Sequence, residues 1–192
     1  MKAPSAATRG LCGSLALATT FVTLVAGMST AALPQDEPRM PSFTPRALDG
    51  SSFSSRSLAG SVALIDFWAT WCEPCLQEIP QWNALHDRYR RQGLEVLGIA
   101  VQSGTDVELR VSVEKLDIKY PIVVGDEDVV KGFGGIRGFP ATFLVDRNGR
   151  IYKKYLGKYL SKHARIERDI QHLLRAESVV SRRARNPAHP IP

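Results

Sequence analysis

Two cysteines spaced as C-x-x-C, Cys72 and Cys75 with Glu73 and Pro74 between them, are the residues of this chain best suited to covalent chemistry. Thiols at that spacing can form and break a disulfide within one helical turn. Such a short loop constrains little of the unfolded chain, so the bridge adds little stability and its value is chemical. The third cysteine, Cys12, lies far upstream in an apolar leader and leaves one pair for the rest of the chain. A zinc site would need further ligands, and His86, His163, His172 and His189 are not at finger spacing. Two thiolates alone could bind copper, which makes a dithiol copper-binding chaperone the non-enzyme alternative, although no Met-rich or His-rich flanks support it. A peroxidatic cysteine in a P-x-x-x-T-x-x-C setting is absent. Gly132, Gly134, Gly135 and Gly138 do not make G-x-G-x-x-G, because Arg137 takes the place of the last required glycine, so no dinucleotide cofactor is expected.

The elements around the pair read as follows. Val62 to Trp68 is an apolar run interrupted only by Asp66, the pattern of a central buried strand. A helix is predicted from about Cys75 to Arg91, ended by Gly93 and kinked at Pro80. Leu94 to Val101 is a second buried strand. Thr105 to Asp117 reads as a helix, Tyr120 to Val124 as a strand and Val129 to Phe133 as a short helix. Ala141 to Val145 and Ile151 to Leu156 form a hairpin across Arg147-Asn148-Gly149, and Ser161 to Ala176 closes the domain as a helix. Phe43 to Leu48 and Ser51 to Phe53 suggest a small hairpin turned at Asp49-Gly50, and residues 57–60 a loop. This order implies an α/β domain with a mixed sheet and helices on both faces.

The N-terminus opens with Met1-Lys2 and Arg9, is apolar from Leu11 to about Gly27, and has no acid before Asp36. That is the profile of an export signal, with cleavage before Ala32 after Ser29-Thr30-Ala31, or of an uncleaved membrane anchor. The expected organisation is a leader over 1–31, a linker over 32–40, a domain over 41–176 and a basic disordered tail over 177–192. The net charge of +6 is unevenly spread: from Arg147 onward there are 12 Lys/Arg against 3 Asp/Glu. This excess is not interleaved with aromatics, so a nucleic-acid partner is not expected. Weak attraction to anionic lipid is the alternative to a solvated helix face and tail. With no cysteine left over, a monomer is the default.

Asp66-Phe67-Trp68-Ala69-Thr70-Trp71-Cys72-Glu73-Pro74-Cys75 resembles the thioredoxin active-site segment. Pro80 matches the kink proline of its helix, and Gly135 to Pro140 followed by Ala141 to Val145 resembles the cis-proline loop and strand. The added helix and strand at about 105–124, the N-terminal hairpin and the exported start look like the TlpA/ResA/CcmG-type branch. The resemblance covers roughly Pro41 to Ala176.

The resemblance implies a thioredoxin-like fold with an N-terminal β-hairpin and a central αβ insertion, and an extracytoplasmic thiol–disulfide oxidoreductase. Its usual clients are apocytochrome c C-x-x-C-H thiols or a copper-centre protein, and its electrons come from a membrane thiol transporter. A less selective thiol reductase or an oxidant is the alternative. Cys72, at a helix N-terminus, would be the exposed nucleophile and Cys75, one turn deeper, the resolving thiol. Pro74 holds the turn at the helix start. Glu73 and Glu78 place negative charge near the thiols, which opposes their ionisation. Glu78 matches an active-site glutamate that tunes the pair and shuttles protons in this family, or it is an exposed helix acid without a role.

Asp66 matches a proton acceptor for the buried cysteine. An acid in an apolar strand should have a raised pKa whatever its role. Gly98 stands where thioredoxin has a lysine near that acid, which removes a nearby cation. Pro140 is predicted to be cis, to lie against the cysteines and to present the Phe139 backbone to a peptide. Trp71 is expected on the exposed rim and Trp68 in the core.

Overall fold

The computed structural model describes residues 38–48 and 50–185, with side chains described through residue 176. The expected leader with Cys12, linker residues 32–37, Asp49 of the hairpin turn and residues 186–192 lie outside the described residues.

Six strands form one sheet in the order β1-β4-β3-β2-β5-β6. They are β1 (Arg46–Ala47), β2 (Val62–Trp68), β3 (Leu94–Ala100), β4 (Ile122–Val124), β5 (Ala141–Val145) and β6 (Ile151–Leu156). β2 pairs parallel with β3, and β3 with β4, while β5, β6 and β1 run antiparallel to their neighbours. The sheet is therefore mixed, as the alternation of elements implied. All seven residues of β2 are buried, because a central strand has both faces covered.

The period of two along β2 sorts its side chains. Ala63, Ile65 and Phe67 enter one core with Phe43, Phe133 and Phe143. There the Phe67, Phe133 and Phe143 rings meet edge to face at 4.9 to 5.6 Å between centroids. Val62, Leu64 and Trp68 enter the other core, with Cys72, Cys75, Ile79 and Trp82 and with Ile166, Ile170 and Leu174. Asp66 has the same parity as Leu64 and Trp68 and so points to that second core.

The helices are α1 (Glu73–Leu76), α2 (Ile79–Tyr89), α3 (Asp106–Lys115), α4 (Glu127–Gly132) and α5 (Lys162–Arg185). The single helix expected from Cys75 to Arg91 is two helices and a short 3-10 turn over Arg90–Gln92. Pro80 is the cause: it has no N–H for the fourth preceding carbonyl and its ring crowds that carbonyl, so the helix restarts instead of bending. Pro80 falls in the first turn of α2, where a missing donor costs nothing.

α3 begins one residue after the expected Thr105, which caps it. The Thr105 hydroxyl accepts from the Glu108 N–H while Glu108 accepts from the Thr105 N–H, a full capping box. α4 starts earlier than Val129 because the Asp126 carboxylate caps it. α5 runs to Arg185, so the backbone is helical, not disordered, over the first part of the basic segment expected as tail. The N-terminal hairpin shrinks to the two-residue β1 and one bridge between Arg46 and Ser52, and the expected 57–60 loop is partly a 3-10 turn over Ser55–Leu58. Among the described residues no helix is long and apolar enough to cross a membrane.

The register sets Gly98 of β3 beside Asp66. A Cβ at Gly98 would come within 2.4 Å of Ile122 Cδ1, 3.1 Å of Trp68 Nε1 and 3.2 Å of Tyr120 Cε2. No side chain fits there. Gly98→Ala should therefore be destabilising by about 1–3 kcal/mol through overpacking, read as a lowered urea midpoint at unchanged slope.

Candidate active site

Cys72 and Cys75 are joined by a disulfide with an S–S distance of 2.06 Å and a Cα–Cα distance of 5.3 Å. Cys72 is the N-cap of α1 and Cys75 lies within it, as the spacing required. The expectation that Cys72 is exposed needs correction. It is 5% exposed and Cys75 1%, because Cys72 sits in the floor of a cleft. That cleft, about 910 Å³, is walled by Trp71, Pro74, Val101, Ile136 and Phe139, with Asp126 and Glu127 at its lip.

Trp71 is the exposed rim residue, 61% accessible, and its indole N–H donates to the Gln102 carbonyl at 2.9 Å. Its ring meets Phe139 edge to face at 5.7 Å. The Phe139–Pro140 peptide is cis, and Pro140 is buried immediately before β5. Glu73 and Pro74 are exposed, and Glu73 accepts from Gln77 at 3.0 Å.

The second core beneath the disulfide holds the polar groups. Asp66 is 2% exposed, and the Thr142 hydroxyl donates to it at 2.7 Å across the β2–β5 pair. Burial pushes its carboxyl up to about 7, against the opposing pull of Lys162 and then of the Thr142 hydrogen bond. The Trp82 indole lies near the same carboxylate, but among the described residues its N–H meets no partner at hydrogen-bond geometry.

Glu78 is not the exposed helix acid weighed as its alternative reading. It is fully buried at the break between α1 and α2. Lys162 Nζ, itself fully buried, donates to Glu78 Oε2 at 2.8 Å. His163 Nε2 stands 3.6 Å from Glu78 Oε1, and neither atom has another partner among the described residues. Burial raises the Glu78 carboxyl despite Lys162, and burial together with Lys162 and Lys158 lowers His163.

Lys162 corrects a second expectation. Gly98 does leave β3 without a cation beside Asp66, but α5 supplies one from another direction. The residues that sequence reasoning passed over are Thr142, Lys162 and His163. A signal for Lys162 exists: Ile166, Ile170 and Leu174 recur every four residues and are buried, and Lys162 stands one step earlier on that apolar stripe. Among the described residues no group of three or more His, Cys, Asp or Glu side chains is placed to hold a metal ion.

The buried acid gives stability a pH dependence of known sign. Folded Asp66 keeps its proton to about 7, whereas the unfolded carboxyl loses it near 3.8. Between those values the folded state binds more protons, so the contribution is full below about 3.8 and is lost as pH rises through about 7. The interval corresponds to roughly 4 kcal/mol at 1.36 kcal/mol per pH unit. Asp66→Asn should thus gain stability relative to the parent from about pH 4 to about pH 7 and hold a constant advantage above, as measured by urea unfolding at several pH values.

Residues 37–154 match the family model described as AhpC/TSA family. The thiol-disulfide oxidoreductase ResA of Geobacillus kaustophilus is 32% identical over 135 residues, spanning 68% of this chain and 74% of that protein. ResA of Bacillus cereus is 28% identical over 118 residues, 62% of this chain and 68% of that one. Among solved structures, a thiol:disulfide interchange protein of the thioredoxin family from Chlorobium tepidum superposes with a TM-score of 0.66 at 28% identity, covering 74% of this chain and 99% of that one. A secreted Mycobacterium tuberculosis disulfide oxidoreductase homologous to DsbE shares the fold alone, with a TM-score of 0.60 at 20% identity over 68% and 96% of the two chains. With its mixed six-stranded sheet and its cleft-floor disulfide, the chain belongs to the AhpC/TSA family and is a thioredoxin-fold protein thiol–disulfide oxidoreductase of the ResA/DsbE type.

Proposed function

We propose that this oxidoreductase works outside the cytoplasm as a reductant of disulfides in client proteins, such as an apocytochrome c C-x-x-C-H pair or a copper-centre protein. The observation that carries the reading is the disulfide at the floor of an apolar cleft, with an acid of raised pKa buried beneath it. A cleft of that form suits an extended peptide lying along the wall that Trp71 and Phe139 form, where a short strand can add to the Phe139 backbone.

In the reduced enzyme the Cys72 thiolate attacks a client sulfur, forms a mixed disulfide and releases one client thiolate. Asp66 then takes the proton of Cys75, whose thiolate attacks Cys72 Sγ and releases the second client sulfur. The product is the Cys72–Cys75 disulfide. Glu78 tunes the pair from below, and Glu73 and Pro74 line the approach. No cofactor takes part.

A reductant in an oxidising compartment needs an electron supply, and a membrane thiol transporter has the right chemistry. The basic start and apolar run over Met1–Gly27 support export, either with a cleaved signal or with a retained anchor that holds the enzyme at the membrane. The protein acts as a monomer, without nucleic acid.

Equilibration of the Cys72–Cys75 couple against glutathione or dithiothreitol, followed by thiol trapping, tests the direction. A potential near or below about −270 mV is expected. A value near about −120 mV, that of a strong oxidant, would point to disulfide formation and overturn the reductant reading. Cys75→Ser should trap client proteins as mixed disulfides on Cys72, visible as reductant-sensitive bands on non-reducing gels. Asp66→Asn should slow turnover, with general-base catalysis contributing about 10²–10⁴-fold, and should flatten its rise through neutral pH. Turnover equal to the parent across that range would remove Asp66 from the mechanism.

A further inference from the structure

A fully buried lysine is rare, and one buried below a redox pair needs a reason. Lys162 has no exposed surface and sits at the first residue of α5, in the stripe that Ile166, Ile170 and Leu174 continue into the core. Its ammonium donates to Glu78 Oε2 at 2.8 Å and stands 5.8 Å from the centre of the Trp82 ring. Of the charged groups near Asp66, it is the one that acts on that carboxylate most strongly. The strand position beside Asp66 is closed to any cation, because Gly98 is packed against Trp68, Tyr120 and Ile122.

We propose that Lys162 is a positioning residue that ties Glu78 and Asp66 into one buried charge unit, in which two carboxylates and one ammonium hold a single shared proton under the Cys72–Cys75 disulfide. The inference rests on the proton-acceptor role given to Asp66 above. Its basis is charge neutrality in a dry core. With one cation present, ionising both carboxylates would leave an uncompensated buried charge, and protonating both would leave the ammonium alone. One proton balances the three.

The groups facing this unit are Asp66 from β2, Glu78 from the α1–α2 break, His163 from α5, Lys158 from the loop before it, and Tyr120 ahead of β4. His163 is a third exposed, and its Nε2 faces the unpartnered Glu78 Oε1.

The shared proton has a use in each direction. When a donor thiolate attacks Cys72 Sγ, the S–S bond breaks and Cys75 leaves as a thiolate. The proton passes to Cys75 sulfur, and the unit stays singly negative for as long as Cys75 keeps that proton. When the enzyme acts on a client, the unit takes the Cys75 proton back as that sulfur attacks. No charge need be created beneath the pair without its partner proton at hand.

The test is the midpoint of Asp66, followed by carbonyl ¹³C NMR in the oxidised full-length protein with specifically labelled aspartate, for the parent, Lys162→Met and Lys162→Arg. Lys162→Met leaves Glu78 buried alone and can fail to fold, so Glu78→Gln/Lys162→Met, which removes both charges, is measured beside it. The Asp66 midpoint should rise by one pH unit or more in Lys162→Met, a tenfold change in its protonation equilibrium, and by a smaller margin in the double variant, which also removes the upward push of Glu78. Lys162→Arg should restore most of the parent value. The pH profile for opening the disulfide with dithiothreitol should move by the same amount. A folded double variant whose Asp66 midpoint and profile match the parent would make Lys162 a structural residue only and overturn the proposal. The NMR midpoint is read without turnover, so it stands even if Asp66→Asn leaves activity unchanged and the acceptor role itself fails.

Discussion

The structure turns on one ionisable residue placed inside its central strand. β2 is buried on both faces, and every position but one carries an apolar side chain. Asp66 breaks the run, and its parity in the strand decides what surrounds it. Had it stood one residue earlier or later, its carboxyl would face the phenylalanine core, where the neighbours are rings and the cost of ionisation would be unrelieved. On its actual side it meets Thr142, the edge of Trp82 and the field of Lys162. The two cores therefore have different work: one is a wholly apolar layer built around four phenylalanines, and the other is an apolar core that also takes in Asp66, Glu78, Thr142 and Lys162.

The second core holds charge because two elements deliver it there by unlike means. Pro80 interrupts the helix after the cysteines, and the break between α1 and α2 carries Glu78 into the interior. The apolar stripe of α5 carries Lys162 to the same place, since a residue four before Ile166 must lie on the face that Ile166 buries. Neither charge would be tolerable alone. Their pairing at 2.8 Å lets the fold hold ionisable groups under its reactive bond.

Much of this was legible in residues. The β2 run, the C-x-x-C pair and the Ala141 to Val145 strand behind Pro140 declare themselves through periodicity and motif, and each stands where the sequence places it. The raised carboxyl of Asp66 also follows from its apolar neighbours alone. Other features were hidden because they depend on contacts distant in sequence. Lys162 and Glu78 are 84 residues apart, and although the apolar stripe of α5 puts Lys162 on its buried face, nothing local marks Glu78 as its partner. The loss of accessibility at Cys72 comes from walls contributed by four separate segments. The split of the active-site helix was half visible: Pro80 announces a disturbance, but bend and restart differ only in how the preceding turn satisfies its carbonyls.

The first described residues have a consequence for where a force enters the fold. Pro38 and Met40 are hydrogen-bonded to Ile151 and Gly149, so the incoming chain is stitched to the turn between β5 and β6. β5 starts beside the cleft and runs antiparallel to β2, which puts that turn at the pole of the sheet away from the disulfide. The described chain therefore enters the fold at the end of the sheet opposite the disulfide. A pull applied at Pro38 is borne first by the β5–β6 turn, at the opposite end of β5 from the residues that wall the cleft.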